Sequence, residues 1–359
     1  MQRLLIIAGG TGGHIFPAMV VAETLQKQGV SIEWIGTETG MERKLVAHHV
    51  PIYFLPVSAL RGKGWRTQLL APFRLLRAVF LAYRLIRKIN PDVILGMGGY
   101  ASGPGGIAAW LLRKPLVIHE QNAVAGLTNR LLSRIATTVL QAFPNAFSKK
   151  INAITVGNPV RESITHISRP ENYFQTRKKP WRILVLGGSQ GSLAINQQVM
   201  HWLSSCEDRE SFLIWHQTGQ KDYESLQKSY QAYLGSIYRV APFIETMSEA
   251  YAWSDLVICR SGALTVSELA AAGLPSVLIP YPYAVDDHQY ANAQFLERAG
   301  AAVIFRESEL SAEKLNAFLE NLLSSPKRLQ VMAEKARICA QPEAVLKIIA
   351  AIREVGVGV

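Results

Sequence analysis

The chain has 359 residues, a formal net charge of +11, 49% hydrophobic and 18% charged residues, a length beyond one ordinary core and suited to two domains. No run of about 18 uncharged apolar residues occurs, so no membrane-spanning helix is expected, and three cysteines, Cys206, Cys259 and Cys339, in no metal or redox spacing, point to a reducing cytoplasm. The positive balance calls for nucleotide phosphates or anionic lipid rather than nucleic acid, because no zinc-finger spacing, RNP-like aromatic motif or basic recognition helix is present.

In chain order, apolar runs alternate with helical patterns, the signature of a parallel sheet covered on both faces. Strands are predicted at 3–8, 32–36, 52–55, 92–95, 116–119, 138–140 and 153–156, with helices over 15–28, 41–48, 66–89, 104–112 and 126–134. The first strand begins with no basic stretch or cleavage site ahead of it, so no secretory signal is expected. Val156 to Arg161 reads as a linker, followed by polar, irregular sequence to about Lys179. A second α/β block begins at Trp181, with strands near 212–216, 237–240, 256–259, 276–279 and 302–305.

Each block opens the same way. Leu4-Leu5-Ile6-Ile7-Ala8 runs into Gly9-Gly10-Thr11-Gly12-Gly13-His14, and Ile183-Leu184-Val185-Leu186 runs into Gly187-Gly188-Ser189-Gln190-Gly191-Ser192. A buried strand leading through glycines to a helix N-terminus leaves outward-facing amides that suit a diphosphate. Two such turns predict two Rossmann-like, doubly wound α/β domains facing across a cleft. The first turn also resembles a dinucleotide fingerprint, with Glu38 placed for a ribose, but Ile15 stands where the third glycine belongs.

A second cluster, Gly96 to Gly106, follows the strand at 92–95. Pro104 suits the first turn of a helix capped by Ser102 or Gly103, and the glycines suggest either a ligand against the backbone or tight helix–sheet packing. In the second block, Ser261 is placed to cap a helix whose amides face a phosphate. Glu268, farther along, is either solvated or an acceptor for two ribose hydroxyls. His14, after the first turn, is a candidate general base. Asp286-Asp287-His288-Gln289 is a poor metal cluster because adjacent carboxylates point apart, and no DxD occurs; neither metal nor cofactor is expected.

The 66–89 segment places Arg66, Arg74, Arg77, Arg84 and Lys88 in one stripe about 80° wide at roughly 100° per residue. Leu69, Phe73, Leu76, Phe80 and Tyr83 lie beside it. Two readings stand: a core helix with solvated arginines, or an interfacial helix, together with Trp110, resting on anionic lipid.

Together GGTGGH, GMGGYASGPGG, HEQNAVAGLTN (His119 to Asn129), GNPVR, GGSQG and CRSGALTVSE span nearly the whole chain and resemble the MurG family. These are inverting N-acetylglucosaminyltransferases of the GT-B fold in glycosyltransferase family 28. The resemblance implies transfer of N-acetylglucosamine from UDP-N-acetylglucosamine to undecaprenyl-diphospho-N-acetylmuramoyl-pentapeptide (lipid I to lipid II) in peptidoglycan synthesis. Cell-wall biogenesis, cell shape and cell division are its setting. It further implies a peripheral place on the cytoplasmic face of the inner membrane, with an anionic membrane surface and other cell-wall synthesis proteins as partners.

By the same resemblance, Thr11, Gly12 and Gly13 form the first donor-contacting turn. Asn122 reaches the donor sugar, Arg161 lies near the diphosphate, and Ser189 belongs to the later glycine turn. The backbone of Ile244 reads uracil; Ala263, Leu264, Thr265, Val266, Ser267 and Glu268 form the ribose-phosphate segment; Gln289 contacts sugar hydroxyls. Some members carry a second glutamine in place of His288. Gly99, Tyr100, Ser102 and Glu120 fall on the acceptor side. Residues 1–160 then form the acceptor and membrane-facing domain, 161–340 the UDP-sugar domain, and 341–359 a helix crossing back to the first. The competing functions are a UDP-N-acetylglucosamine 2-epimerase on the same fold, an NAD(P)-binding oxidoreductase and a non-catalytic membrane-anchoring module.

Overall fold

The computed structural model describes residues 1–57, 71–174, 177–188, 190–206, 208–234 and 238–356. The chain divides into two units, Met1–Val160 with Pro342–Val359, and Arg161–Gln341. Each is built on one wholly parallel sheet.

In the first unit the strands are β1 (Arg3–Ile7), β2 (Ser31–Thr37), β3 (Ile52–Leu55), β4 (Val93–Gly96), β5 (Leu116–Glu120), β6 (Thr138–Gln141) and β7 (Ile154–Thr155), ordered β3-β2-β1-β4-β5-β6-β7. The second unit holds β8 (Trp181–Leu186), β9 (Phe212–Gln217), β10 (Tyr238–Ala241), β11 (Leu256–Cys259), β12 (Ser276–Leu278) and β13 (Ala302–Ile304), ordered β10-β9-β8-β11-β12-β13. Strand order reverses between β1 and β4 and again between β8 and β11. In open parallel sheets that reversal opens a crevice at the carboxyl ends of the strands, the usual ligand position.

The continuous apolar runs are explained by burial on both faces. Leu4 and Ile6 pack with Ile15, Trp34, Ile348 and Ile352 on one side of the sheet. Leu5 and Ile7, pointing the other way, pack with Ile86, Ala108 and Leu132. Burying each of these side chains is worth about 1.5–3 kcal/mol, so the sheet centre is rigid and the loops at its ends inherit that rigidity. The terminal helix Ala344–Gly356 contributes Ile348, Ile349 and Ile352 to the first unit's core. In the second unit Ile183 and Val185 pack with Ile195, Trp202, Leu315 and Leu319.

Helix limits differ from the sequence pattern where glycines are tolerated in the first turn. The first helix starts at Gly12 rather than 15, and the helix after β4 starts at Ser102 rather than 104. The segment predicted over 41–48 keeps only Glu42–Leu45 as helix. The irregular stretch after the linker carries two single turns, Glu162–Thr165 and Pro170–Tyr173. Of the helix predicted at 66–89, Ala71–Ile89 is described; Arg66 and Leu69 lie outside the described residues.

Two histidines are wholly buried, His119 on β5 and His216 on β9. Burial lowers His119 from the ordinary 6.5 to about 4, although its bond to the Gly157 carbonyl and the Glu120 charge act against this. Burial alone lowers His216 to about 3. Both folded values lie below the unfolded one, so this stability is complete above pH 6.5 and is lost as pH falls toward 4 and 3. Each neutral histidine should therefore cost about 2–3 kcal/mol of stability by pH 4.5. Thermal stability should fall steadily from pH 6.5 to 4.5, with a shallower slope in His216→Gln. Equal slopes in the two proteins would show that His216 is not held neutral.

Candidate functional site

At the carboxyl end of β1 the chain turns through Gly9 and Gly10, the latter at φ +99°. The side chain that secures this turn is Glu42, which is fully buried. One carboxylate oxygen accepts from the Gly10 amide at 3.1 Å, and the other accepts from the Thr37 amide and, at 2.7 Å, the Thr37 hydroxyl. Within this turn the Gly10 amide is already taken by a buried carboxylate. A diphosphate at that spot would meet a like charge at low dielectric, at a cost of several kcal/mol. The dinucleotide reading fails with it: Ile15 is core, and Glu38 is exposed just past β2. Thr11 caps the first helix without a side-chain bond; Thr11 and Gly13 are exposed, and Gly12 is half-buried against the ring of Phe16.

At the end of β4, Gly98 and Gly99 have φ of +90° and +81°. A Cβ on Gly98 would lie 2.8 Å from His14 Nδ1, and one on Gly99 would lie 2.1 Å from the Gly9 carbonyl oxygen. Only glycine lets the two turns approach this closely. Gly105 and Gly106 serve packing, against Ile7 and Leu132. Ser102, expected as a cap, is not one. Ala101 is the N-cap, and buried Ser102 points its hydroxyl at the carbonyls of Ile7 (3.1 Å) and Gly98 (2.7 Å). Tyr100 is exposed beside it.

At the end of β5, Glu120 is buried and fastens the following loop. Oε1 accepts from the amide and the side chain of Asn122 (3.0 and 3.1 Å), and Oε2 from the Gly126 amide and Asn129 (3.1 and 2.9 Å). Both oxygens of Glu120 are thereby engaged within the protein. His14 Nδ1 lies 2.8 Å from Gln121 Oε1.

In the second unit the turn after β8 carries Gly188 at φ +88° and Gly191 at φ +81°, where a Cβ would strike the Thr218 carbonyl. Ser189 lies outside the described residues. Ser192 caps the helix Leu193–Ser205 by accepting from the Ile195 amide and also accepts from Arg260 at 2.8 Å. Arg260 pairs with Glu307, donates to the carbonyls of Ile279 and Pro280, and lies over the Tyr281 ring. A cation is thus fixed at the end of β11 by five neighbours. In the sequence it stands within the CRSGALTVSE motif, which gives it no role by itself.

Ser261 does not cap the next helix, Ala263–Ala272; Gly262 takes that position with no side-chain cap. Ser261 Oγ is buried and has no hydrogen-bond partner among the described residues, while buried Asn292 donates to its carbonyl at 3.2 Å. A helix N-terminus with no side-chain cap, beside an unused hydroxyl, suits an anionic oxygen. Glu268 is buried rather than solvated. It pairs with Arg161 at 3.2 Å and accepts from the Tyr251 hydroxyl at 3.0 Å. Burial raises its pKa, and the Arg161 charge and these bonds pull against that rise.

Val266, within the candidate ribose-phosphate segment, has its side chain wholly in the core. Ala263 is buried; Leu264, Thr265 and Ser267 are half-exposed, with Ser267 donating to the Ala263 carbonyl. Ile244 is buried just past β10. Gln289 accepts from the Tyr281 amide at 3.0 Å, and His288 donates through Nδ1 to the Val285 carbonyl. Asp286 and Asp287 sit in left-handed backbone, and Asp287 pairs with Arg306.

The helix Ala71–Ile89 buries Ala78, Ala82, Ile86 and Ile89. Phe73, Leu75, Leu76 and Phe80 are exposed, as are Trp110 and Leu111 on the helix packed beside it and Leu127 and Leu131 on the next. Its core reading is thereby overturned for Phe73, Leu76 and Phe80, because the small residues face the sheet. Arg74, Arg77 and Arg84 are also exposed. Among the described residues no helix is long and apolar enough to cross a membrane.

Residues 4–141 match the glycosyltransferase family 28 N-terminal domain and residues 182–348 the glycosyltransferase family 28 C-terminal domain. The chain belongs to glycosyltransferase family 28. A Coxiella burnetii relative, the UDP-N-acetylglucosamine–N-acetylmuramyl-(pentapeptide) pyrophosphoryl-undecaprenol N-acetylglucosamine transferase, is 52% identical over 98% of both chains. The crystal structure of Acinetobacter baumannii MurG superposes with a TM-score of 0.85 at 41% identity, covering 99% of this chain and 100% of that one. The Neisseria meningitidis UDP-GlcNAc 2-epimerase gives a TM-score of 0.65 at 12% identity over 98% and 100% of the two chains. That likeness is one of fold alone.

Glu42 is the residue that sequence reasoning missed and the first turn depends on. Glu42→Ala should strand the Gly10 and Thr37 amides and destabilise the first unit by about 2–4 kcal/mol. Hydrogen exchange at residues 9–14 and 36–38 should accelerate; unchanged protection there would show that the turn holds without the carboxylate.

Proposed function

We propose that this chain transfers N-acetylglucosamine, with inversion, from UDP-N-acetylglucosamine to the muramoyl 4-hydroxyl of undecaprenyl-diphospho-N-acetylmuramoyl-pentapeptide, on the cytoplasmic face of the plasma membrane. The observation that carries the donor half is the cluster at the end of β11. Arg260, the Ser261 hydroxyl and a helix N-terminus with no side-chain cap follow that strand, and Arg161 pairs with the buried Glu268 of the same helix. The bond from the anomeric carbon to UDP breaks as the bond to the acceptor oxygen forms on the opposite face. Charge builds on the diphosphate, where Arg161, Arg260 and the helix amides offset it. Glu268 retains a second lone pair on each oxygen for the ribose hydroxyls. Ile244 and Gln289 complete the donor set through uracil and sugar hydroxyls.

The acceptor hydroxyl must lose a proton, and His14 is the base assigned to it. Thr11, Gly12, Gly13 and Asn122 contact the donor sugar, and Gly99 and Tyr100 the acceptor. The N-terminal unit takes the lipid-linked substrate. Its exposed Phe73, Leu76, Phe80 and Trp110 with Arg74, Arg77 and Arg84 support docking on anionic lipid, which also accounts for a strongly basic chain. Other cell-wall synthesis proteins are further partners on this reading. The epimerase alternative needs no such surface.

Transfer of labelled sugar to a short-chain lipid I analogue tests the reaction and both halves of the site. Glu268→Ala should weaken UDP binding in calorimetry by about 1.5–3 kcal/mol, and His14→Ala should lower kcat roughly 10²–10⁴-fold. Unchanged UDP affinity would remove the ribose assignment. A loss confined to KM for the lipid would make His14 a binding residue.

Membrane docking has its own readout. Each basic residue near an anionic surface contributes about 1 kcal/mol, so the protein should sediment with anionic vesicles and be released by salt. The triple variant Arg74→Glu, Arg77→Glu, Arg84→Glu should stay in the supernatant. Equal partitioning of both proteins would dismiss the membrane reading of this helix.

A further inference from the structure

Four groups of the first unit form one hydrogen-bonded line: the Gly157 carbonyl, His119, Gln121 and His14. His119 Nε2 lies 2.9 Å from the Gly157 carbonyl oxygen. A carbonyl can only accept, so Nε2 carries the hydrogen. His119 is wholly buried and held neutral, which leaves a lone pair on its Nδ1. The Gln121 side-chain nitrogen lies 3.0 Å from that Nδ1 and 3.2 Å from the His119 carbonyl oxygen. Both are acceptors, so two independent contacts fix which end of the amide is the nitrogen. Gln121 Oε1 therefore faces the other way, 2.8 Å from His14 Nδ1. An amide oxygen also only accepts.

We infer that Gln121 and His119 are positioning residues that set the tautomer of His14, placing its hydrogen on Nδ1 and leaving the lone pair on Nε2. A neutral imidazole free in water prefers the opposite tautomer, with hydrogen on Nε2, in which the outward nitrogen cannot accept a proton. Gln121 is almost fully buried, so water does not compete for its oxygen. Gly98 leaves the space in which the His14 ring sits, since a Cβ there would meet Nδ1 at 2.8 Å. The consequence for rate rests on His14 being the base; the tautomer itself does not.

The test is ¹⁵N NMR of the full-length protein labelled at histidine, at a pH where His14 is neutral, combined with the transfer assay. Wild type should show His14 with its hydrogen on Nδ1. Gln121→Met and His119→Leu should move it toward Nε2 and lower kcat about 10- to 100-fold, part of the roughly 10²–10⁴ that a positioned base supplies. KM for UDP-N-acetylglucosamine should be unchanged. His119→Asn, whose amide oxygen can stand in for Nδ1, should restore both tautomer and kcat. Wild-type His14 found with its hydrogen on Nε2 overturns the inference without any variant, as does an unchanged His14 tautomer in folded Gln121→Met. Full kcat in His14→Ala, with the wild-type tautomer as expected, overturns the reading of His14 as base and leaves the relay standing.

Discussion

A parallel strand that ends inside a protein leaves its last carbonyl and the next amides without a ladder, and each must find a partner or cost free energy. In both units that requirement falls at the point where strand order reverses, because β1 with β4 and β8 with β11 finish side by side. Buried polar side chains meet it. Glu42 takes the amides of Gly10 and Thr37, Ser102 bonds the Ile7 and Gly98 carbonyls, Glu120 gathers the loop from Asn122 to Asn129, and Asn292 holds the Ser261 carbonyl. The glycines are then free to bring backbone close to backbone, and the exposed groups at the rim stand on a scaffold that does not relax.

The two units meet the same constraint with opposite charge. The first unit buries carboxylates at its strand ends, Glu42 and Glu120, and places an imidazole beside them. The second holds guanidinium groups, Arg161 against the buried Glu268 and Arg260 at the end of β11. An architectural repeat thus carries different chemistry in each copy. A neutral hydroxyl that must give up a proton suits the first environment, and a nucleoside diphosphate that must leave suits the second. The buried Glu268 belongs with the cations, since the Arg161 charge and the Tyr251 hydroxyl act against its desolvation.

The helix Ala71–Ile89 shows how little periodicity alone decides. Its large apolar residues and its arginines share much of the surface, and either set could have faced the sheet. The small residues Ala78 and Ala82 do so instead, because the neighbouring helix Ser102–Leu111 lies close against it. Phe73, Leu76 and Phe80 are left outside as an apolar surface interleaved with arginine.

Fold class, strand positions and the two glycine turns were legible in the amino-acid sequence, because a doubly covered parallel strand leaves an unbroken apolar run and a tight turn demands glycine whatever surrounds it. The family motifs likewise marked Arg161, Glu268 and His14. What pairs with them was not legible. Glu42 looks like a surface charge until β2 brings it against the turn, Arg260 stands in its motif without its partners until β12 lies beside it, and Ser261 and Ser102 look like caps until their hydroxyls are seen turned inward. Val266 sits among candidate ligand contacts in the chain and in the core in space. Helical period and motif membership are local properties, whereas a hydrogen-bond partner is chosen by which strands the sheet sets next to one another. The tautomer of His14 is the extreme case: it follows from a carbonyl at Gly157, far along the chain, through two side chains that only the tertiary structure puts in line.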